Sequence, residues 1–456
     1  MLKKDNKEKI DSENKNIVSN EEKQNNGCKQ NKGITLVALV ITIIIIIILA
    51  TITMNMAFGD NGLIKQAQKA KDMAANSVIA EQEGMNSLMG EFANVMAEDS
   101  EITPPDPGPT LPEGWDGDKV TAEESSDGVT VPVPKGYTAS DATGERSVND
   151  GFVIYEGTEE VNDGNVDTAK TTRNQFVWIP VPDISQIANQ TSGTDGNGRQ
   201  NYQGKLYSFS ATGAKERTSY GQGTTSNREP DVVTGRDGTS YDNDQQYVKT
   251  ILGLANSDAL KTQLQEEFNE MIASVDTYGG FYIGRYETGN LKSNTSAKPV
   301  VVKGNKDIRD VNWYYMYQNS KKVAANNNVV STMIWGSMWD RALIWLTETG
   351  KKTYEEIINS TTWGNYENST GAAATNSGSK QPTGTNEAWK ANNIYDLAGN
   401  VAEWTIEAGL TRYRVNRGGS YSGSGSYGPS SIRDNGSSPS NAGSGDGARL
   451  AFYVAL

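Results

Sequence analysis

The chain has 456 residues, no histidine and a single cysteine, Cys28. Ser-His-Asp and Cys-His catalysis and His-ligated zinc are therefore excluded, and carboxylate, Ser/Lys or Tyr chemistry is what remains for an enzyme. The 42 basic against 56 acidic side chains give a formal net charge of −14, which repels a phosphate backbone and argues against nucleic acid as a partner.

Residues 1–33 mix Lys with Asp and Glu and read as a disordered cytoplasmic leader. Residues 34–54, ITLVALVITIIIIIILATITM, carry no charge, and a helix of that length crosses a hydrocarbon core of roughly 30 Å. A cleaved secretory signal has a shorter apolar core, about 7–15 residues. Lys29 and Lys32 lie just before the run, which orients the leader inward and the body outward, a single-pass membrane protein with its C-terminal domain extracellular. Residues 55–98 stay helix-friendly, with Leu63, Ile64, Ala67, Ala70, Ala74 and Ala75 along one stripe, and extend the span as a stem helix over 34–98. Pro104-Pro105 ends the stem, and 99–127 reads as a Pro-rich acidic linker. Residues 128–456 are long enough for a domain with a full core. Strands are predicted at 129–134, 151–157, 174–181 and 281–287, and helices at 258–274, capped by Ser257, and 337–348. The fold class is α+β. Gly/Ser/Asn/Thr-rich segments at 190–245 and 360–385 read as long surface loops.

The junction Lys32-Gly33-Ile34-Thr35-Leu36-Val37-Ala38-Leu39 resembles the type IV prepilin processing motif. The resemblance implies cleavage between Gly33 and Ile34, methylation of the new N-terminus, loss of Cys28 with the leader, and stem packing against other pilin subunits. Ala38 stands where that family usually carries Glu, which weakens the case for a polymerising pilin. A plain membrane anchor is the alternative.

Three stretches, NIYDLAGNVAEWT (393–405), RYRVNRGGSYSG (412–423) and GARLAFYV (447–454), resemble in this order the formylglycine-generating-enzyme or sulfatase-modifying-factor family. FYIGRYET (281–288) and MIWGSMWDRALIWL (333–346) fit the same domain, and the resemblance implies a variant of the C-type lectin fold with long loops. Ala402 and Ala448-Arg449-Leu450 depart from the family pattern. The two copper-binding cysteines of the enzymatic members align with Gly423 and Gly428, so no copper and no oxidase chemistry are expected, and no catalytic residue is assigned. The resemblance also implies a calcium site from the side chains of Asp396 and Glu403 and the carbonyls of Gly399 and Val401, a hard-oxygen set. The other reading of those carboxylates is that they cap the turn and pair with nearby Arg or backbone N–H groups.

Residues 416–447 hold ten serines and nine glycines, framed by two strand-like stretches. Ser, Gly, Asn and Tyr make adaptable binding loops. The segment resembles the variable region of proteins targeted by diversity-generating retroelements, which implies a recognition face at Tyr421, Ser422, Ser424, Ser426, Tyr427, Asp434, Asn435 and Asn441. Tyr421 aligns with a structural aromatic of the family, and Tyr427 is the stronger ligand contact. The expected function is a non-enzymatic adhesin or receptor that binds a surface protein or glycan. A carboxylate glycosidase using Glu156/Glu159 or Glu355/Glu356, or a structural minor pilin, are the alternatives.

Overall fold

A computed structural model describes residues 111–217, 242–323, 326–409, 413–434, 438–442 and 446–456. The leader, the Gly33–Ile34 junction, the apolar run, the stem and Asn435 lie outside them. The chain divides into two units after Asp106, and every described residue belongs to the second. No helix among the described residues is long and apolar enough to cross a membrane.

The head opens with the hairpin β1 (Val120–Glu124) and β2 (Thr130–Pro134). This places a strand inside the stretch read from sequence as linker. Val120 and Ala122 are buried while Thr121 is exposed, a two-residue period too short and too acidic in context to stand out. Next come β3 (Tyr137–Ala139), β4 (Val153–Glu156), helix α1 (Val166–Thr172) and β5 (Gln175–Pro180). Two hairpins follow, β6 (Ala188–Thr194) with β7 (Gln200–Gly204) and β8 (Tyr207–Ser210) with β9 (Gly213–Glu216). They replace part of the loop expected from 190 onward, because their strands are short and mostly polar, with only Tyr202, Tyr207 and Phe209 to mark them among the Gly, Ser and Asn.

Helix α2 (Asp242–Thr250) precedes α3 (Ser257–Tyr278), the longest described helix. Its apolar face, Leu260, Leu264, Phe268, Met271, Ile272 and Val275, repeats at three and four residues and is buried. Asn256, rather than Ser257, caps it by accepting from the Ala259 N–H, and Gly279 ends it at φ 78°. Strand β10 (Gly280–Gly284) follows at once, then α4 (Trp313–Ser320), β11 (Val329–Met333), α5 (Gly336–Glu348) and α6 (Tyr354–Ile358). The final elements are the short pair β12 (Lys390–Ala391) and β13 (Ile394–Tyr395), then β14 (Ala402–Ala408), β15 (Arg414–Arg417), β16 (Asp446–Ala448) and β17 (Leu450–Val454).

Six strands form the main antiparallel sheet in the order β11-β17-β10-β5-β4-β3. A second sheet, β15-β14-β16, pairs β14 antiparallel with β15 and parallel with β16. The result is a sheet-rich α+β domain, its core filled from the main sheet, α3, α4 and α5. Within 360–385, Trp363, Tyr366 and Ala373 are buried, so this part is packed rather than a free surface loop. Glycine and serine around these aromatics hid their role in the sequence.

Candidate functional site

The AGN turn between β13 and β14 is built on unusual backbone. Asp396, Gly399 and Asn400 all take positive φ (56°, 75° and 59°), which glycine adopts freely and Asp and Asn tolerate. A side chain at Gly399 would meet the Asn365 carbonyl at 2.1 Å. Asn400 then fastens the turn. Its amide donates to Glu287 Oε2 (2.6 Å) and its carbonyl accepts from Asn365 Nδ2 (2.9 Å) and the Gln381 N–H (3.0 Å). Glu287 Oε1 accepts from the Val401 N–H at 3.0 Å.

Beneath the turn lie three buried carboxylates and one guanidinium. Asp396 Oδ2 accepts from the Thr383 hydroxyl (2.8 Å) and the Gly384 N–H (2.7 Å), while Oδ1 has no hydrogen-bond partner. Glu403 is gripped by Arg449, with Nε on Oε2 at 3.0 Å and Nη2 on Oε1 at 2.6 Å. Burial raises Asp396 to about 6, and burial, opposed by Arg449, raises Glu403 to about 7. Burial, followed by the fields of Asp396 and Glu403, pushes Glu287 well above the ordinary range. These groups interact electrostatically, but among the described residues no three His, Cys, Asp or Glu side chains converge to hold a metal. The set expected for calcium is two carboxylates with the carbonyls of Gly399 and Val401, and Arg449 competes for one of those carboxylates. Arg449 already supplies the cation to Glu403, leaving Asp396 Oδ1 as the free carboxylate oxygen.

The turn carries the segment that follows β15. The Gly399 N–H donates to the Gly418 carbonyl (2.8 Å), and the Tyr421 N–H to the Asn400 carbonyl (3.0 Å). Tyr421 is half-buried and its hydroxyl accepts from Arg309 Nη1 at 3.1 Å, so it belongs to the scaffold side of the face. Tyr427 is the opposite case, 87% exposed. Ser422, Ser426, Asp434 and Asn441 are exposed and Ser424 is half-buried. Asp434 also pairs its backbone with Asn416.

This polar loop is clamped by residues the sequence did not single out. Asn368 accepts from the Gly425 N–H (2.9 Å) and donates to the Ser424 hydroxyl (2.9 Å). The Ser360 N–H donates to the Gly425 carbonyl (2.8 Å), and Ser360 Oγ accepts from the Ser430 N–H (3.0 Å). Deeper still, Arg417 and Arg433 share Asp340 and Glu407 in a buried quartet. Arg417 Nη2 meets Asp340 Oδ1 at 2.8 Å and Nη1 meets Glu407 Oε2 at 3.5 Å; Arg433 Nε meets Glu407 Oε1 at 2.9 Å, and its Nη2 bonds Asp340 Oδ2. Burial and the neighbouring Arg433 hold Arg417 below the usual guanidinium range. The segment is thus anchored at 417, 425, 430 and 433, with short exposed stretches between. Arg433 could have been noticed as the only charged group besides Arg417 and two Asp in 416–447, but its partners are remote in sequence.

Of the carboxylate pairs considered for glycoside chemistry, Glu356 is spent in the capping box of α6 with Thr353, and Glu355 and Glu159 are exposed.

No protein-family model matches the chain, and no curated protein matches it. One solved structure to which the chain is similar is Treponema denticola variable protein 1, at 17% identity over 61% of this chain and 95% of that one, with a TM-score of 0.22. An overlap that weak carries no argument about fold or function.

Proposed function

We propose that the chain is a membrane-anchored surface protein whose head binds a ligand and performs no catalysis. In this reading 34–54 holds the protein in the membrane after prepilin-type processing. The head is a C-type lectin-like, formylglycine-generating-enzyme-type scaffold with a diversified recognition face at 416–447. The observation that carries the reading is Tyr427: a large amphipathic ring, 87% exposed, on a Ser/Gly loop whose backbone is fixed from below by Asn368 and Ser360. A pre-ordered loop loses little entropy on binding, and tyrosine supplies contact area for few rotatable bonds.

The gene sequenced across isolates tests this without knowledge of the ligand. Differences are expected to concentrate at Ser422, Ser426, Tyr427, Asp434 and Asn441 and to spare Arg417, Gly425, Ser430 and Arg433, whose replacement would open the buried network. An even spread of differences over the head, or changes at the buried arginines as frequent as at Tyr427, would overturn the diversified-face reading. Processing is tested separately by intact mass of the membrane-extracted protein. The mature chain is expected to begin at Ile34 and carry one added methyl group, and retention of 1–33 would leave a plain anchor.

A further inference from the structure

A cleft of about 500 Å³ lies between α3, strand β11 and the start of α5, and none of the described residues of 416–447 lines it. Glu267 and Glu270, neighbours on one face of α3, form one wall, with Lys321 beside them. Tyr453 of β17 and Trp335, which precedes α5, reach it from the core. Their rings are packed away, 2% and 1% exposed, the Trp335 ring edge-on to Phe268 at 4.9 Å, so they offer no aromatic face. What they offer is their polar tips. Neither the Tyr453 hydroxyl nor the Trp335 indole N–H has a hydrogen-bond partner among the described residues, and neither is sealed in by protein atoms. Burial, then the fields of Glu270 and Glu267, push the Tyr453 phenol well above its ordinary range, so it keeps its proton and donates.

The charges of the cleft are compensated. Lys321 Nζ bonds Glu267 Oε1, and the Tyr317 hydroxyl meets both Glu267 oxygens at 2.8 Å. Arg199 Nη2 lies 3.8 Å from Glu270 Oε2, which balances that carboxylate but leaves its oxygens open to a donor. Asn327, exposed at the rim, makes no hydrogen bond among the described residues. Asn326 is held by the Lys135 carbonyl (2.6 Å), and the Ser331 and Thr332 hydroxyls donate to the Ser320 (2.7 Å) and Met333 (3.0 Å) carbonyls.

The open groups are therefore two donors on the floor, a carboxylate on the wall and an amide at the rim. An apolar ligand would strip water from the two tips and leave them unpaired. An anion would meet two carboxylates and a lysine already bonded. An ammonium would find Glu270 but could not accept from the indole N–H. A hydroxyl both donates and accepts, and several on one ring serve all four groups together.

We propose that this cleft binds a neutral saccharide, a hexopyranose ring held by side chains alone through Tyr453, Trp335, Glu270 and Asn327. Its volume lies within the range of small-molecule sites.

The test is titration calorimetry on the full-length chain in a polyoxyethylene detergent, which carries no sugar. The probes are the methyl α-glycosides of glucose, galactose and mannose, with cyclohexanol, butylamine and glucuronate as apolar, cationic and anionic counterparts. At least one glycoside is expected to bind at millimolar concentration, about tenfold or more tightly than every counterpart and equally well in EDTA. Tyr453→Phe removes only an unpartnered hydroxyl and is expected to weaken that binding about tenfold with an unchanged melting temperature. Glu270→Ala, a half-buried position with one long ion pair, is expected to do the same. No glycoside binding, binding no tighter than that of any counterpart, or loss of binding in EDTA would each overturn the proposal. Glycoside binding unaffected by both variants would place the sugar elsewhere and overturn it too. The diversified-face reading of 416–447 is tested by sequence variation and stands or falls apart from these results.

Discussion

Asp340→Ala is expected to lower the melting temperature of the head by about 6–10 °C. Asp340 sits at full burial on α5, where one oxygen meets Arg417 and the other meets Arg433 and accepts from the Tyr207 N–H at 2.7 Å. Two guanidinium groups and two carboxylates balance in the quartet. Removing one carboxylate leaves two buried cations facing Glu407 alone. Breaking a buried pair from one side costs about 3–5 kcal/mol, because the remaining charge is neither hydrated nor paired. A domain of this size shifts by roughly 2 °C for each kcal/mol. The double variant Asp340→Ala/Arg433→Met restores the balance, with Arg417 still opposite Glu407, and is expected to be more stable than the single variant. Thermal unfolding followed by circular dichroism checks both. A double variant no better than the single one would mean that lost packing, not uncompensated charge, dominates.

The second large effect is a stability that falls as the pH is raised from 5 to 7. Asp396 titrates at about 6 in the fold against 3.8 ordinarily, and Glu403 at about 7 against 4.5. Over that interval the unfolded chain has already released these protons while the folded chain still holds them. Ionisation therefore favours the unfolded state, and stability present at acidic pH is lost as pH rises to the folded values. The rise at Asp396 alone corresponds to about 3 kcal/mol. Asp127 and Glu387 act in the opposite sense. Against the upward push of burial, hydrogen bonds from Ser125, Asn149 and Val148 hold Asp127 at about 2, and those from Lys390 and Tyr395 hold Glu387 at about 2. Their contribution is lost only as pH falls below the ordinary carboxylate range, outside the window considered. Urea unfolding at several pH values is the measurement. Asp396→Asn keeps an acceptor for Thr383 and Gly384 and is expected to flatten the slope between pH 5 and 7. An unchanged slope would assign the titration to another group.

What the sequence disclosed follows from where its signals are local. The apolar stripe of α3, the Trp-rich α5 and the strands at β2, β4, β5 and β10 were legible from periodicity, with displacements of a few residues at their ends. The exposed position of Tyr427 was expected from the Ser/Gly surroundings. Asn368, Ser360 and Asp340 were not legible as partners of 416–434, because a polar residue in a Gly/Ser-rich stretch looks the same whether it faces solvent or a backbone N–H far along the chain. Arg449 illustrates the same limit. A basic residue at the start of a strand gives no sign that it will close on Glu403, 46 positions earlier, at no exposure.

The strand order of the main sheet has a consequence for how the head is made. Strand β17 lies between β10 and β11, so until residues 450–454 exist β10 is paired on its β5 side alone and β11 has no neighbour in this sheet. Some 120 residues of synthesis separate β11 from β17, roughly 6–24 s at the usual elongation rate of 5–20 residues per second. Through that interval two strands present open ladder edges, and closing the sheet depends on pairings far apart in sequence, a slow and aggregation-exposed route. The head must then complete its sheet late, after nearly all of it has been synthesised, and any nascent chain halted before 450 exposes the pairing edges that β17 would have covered.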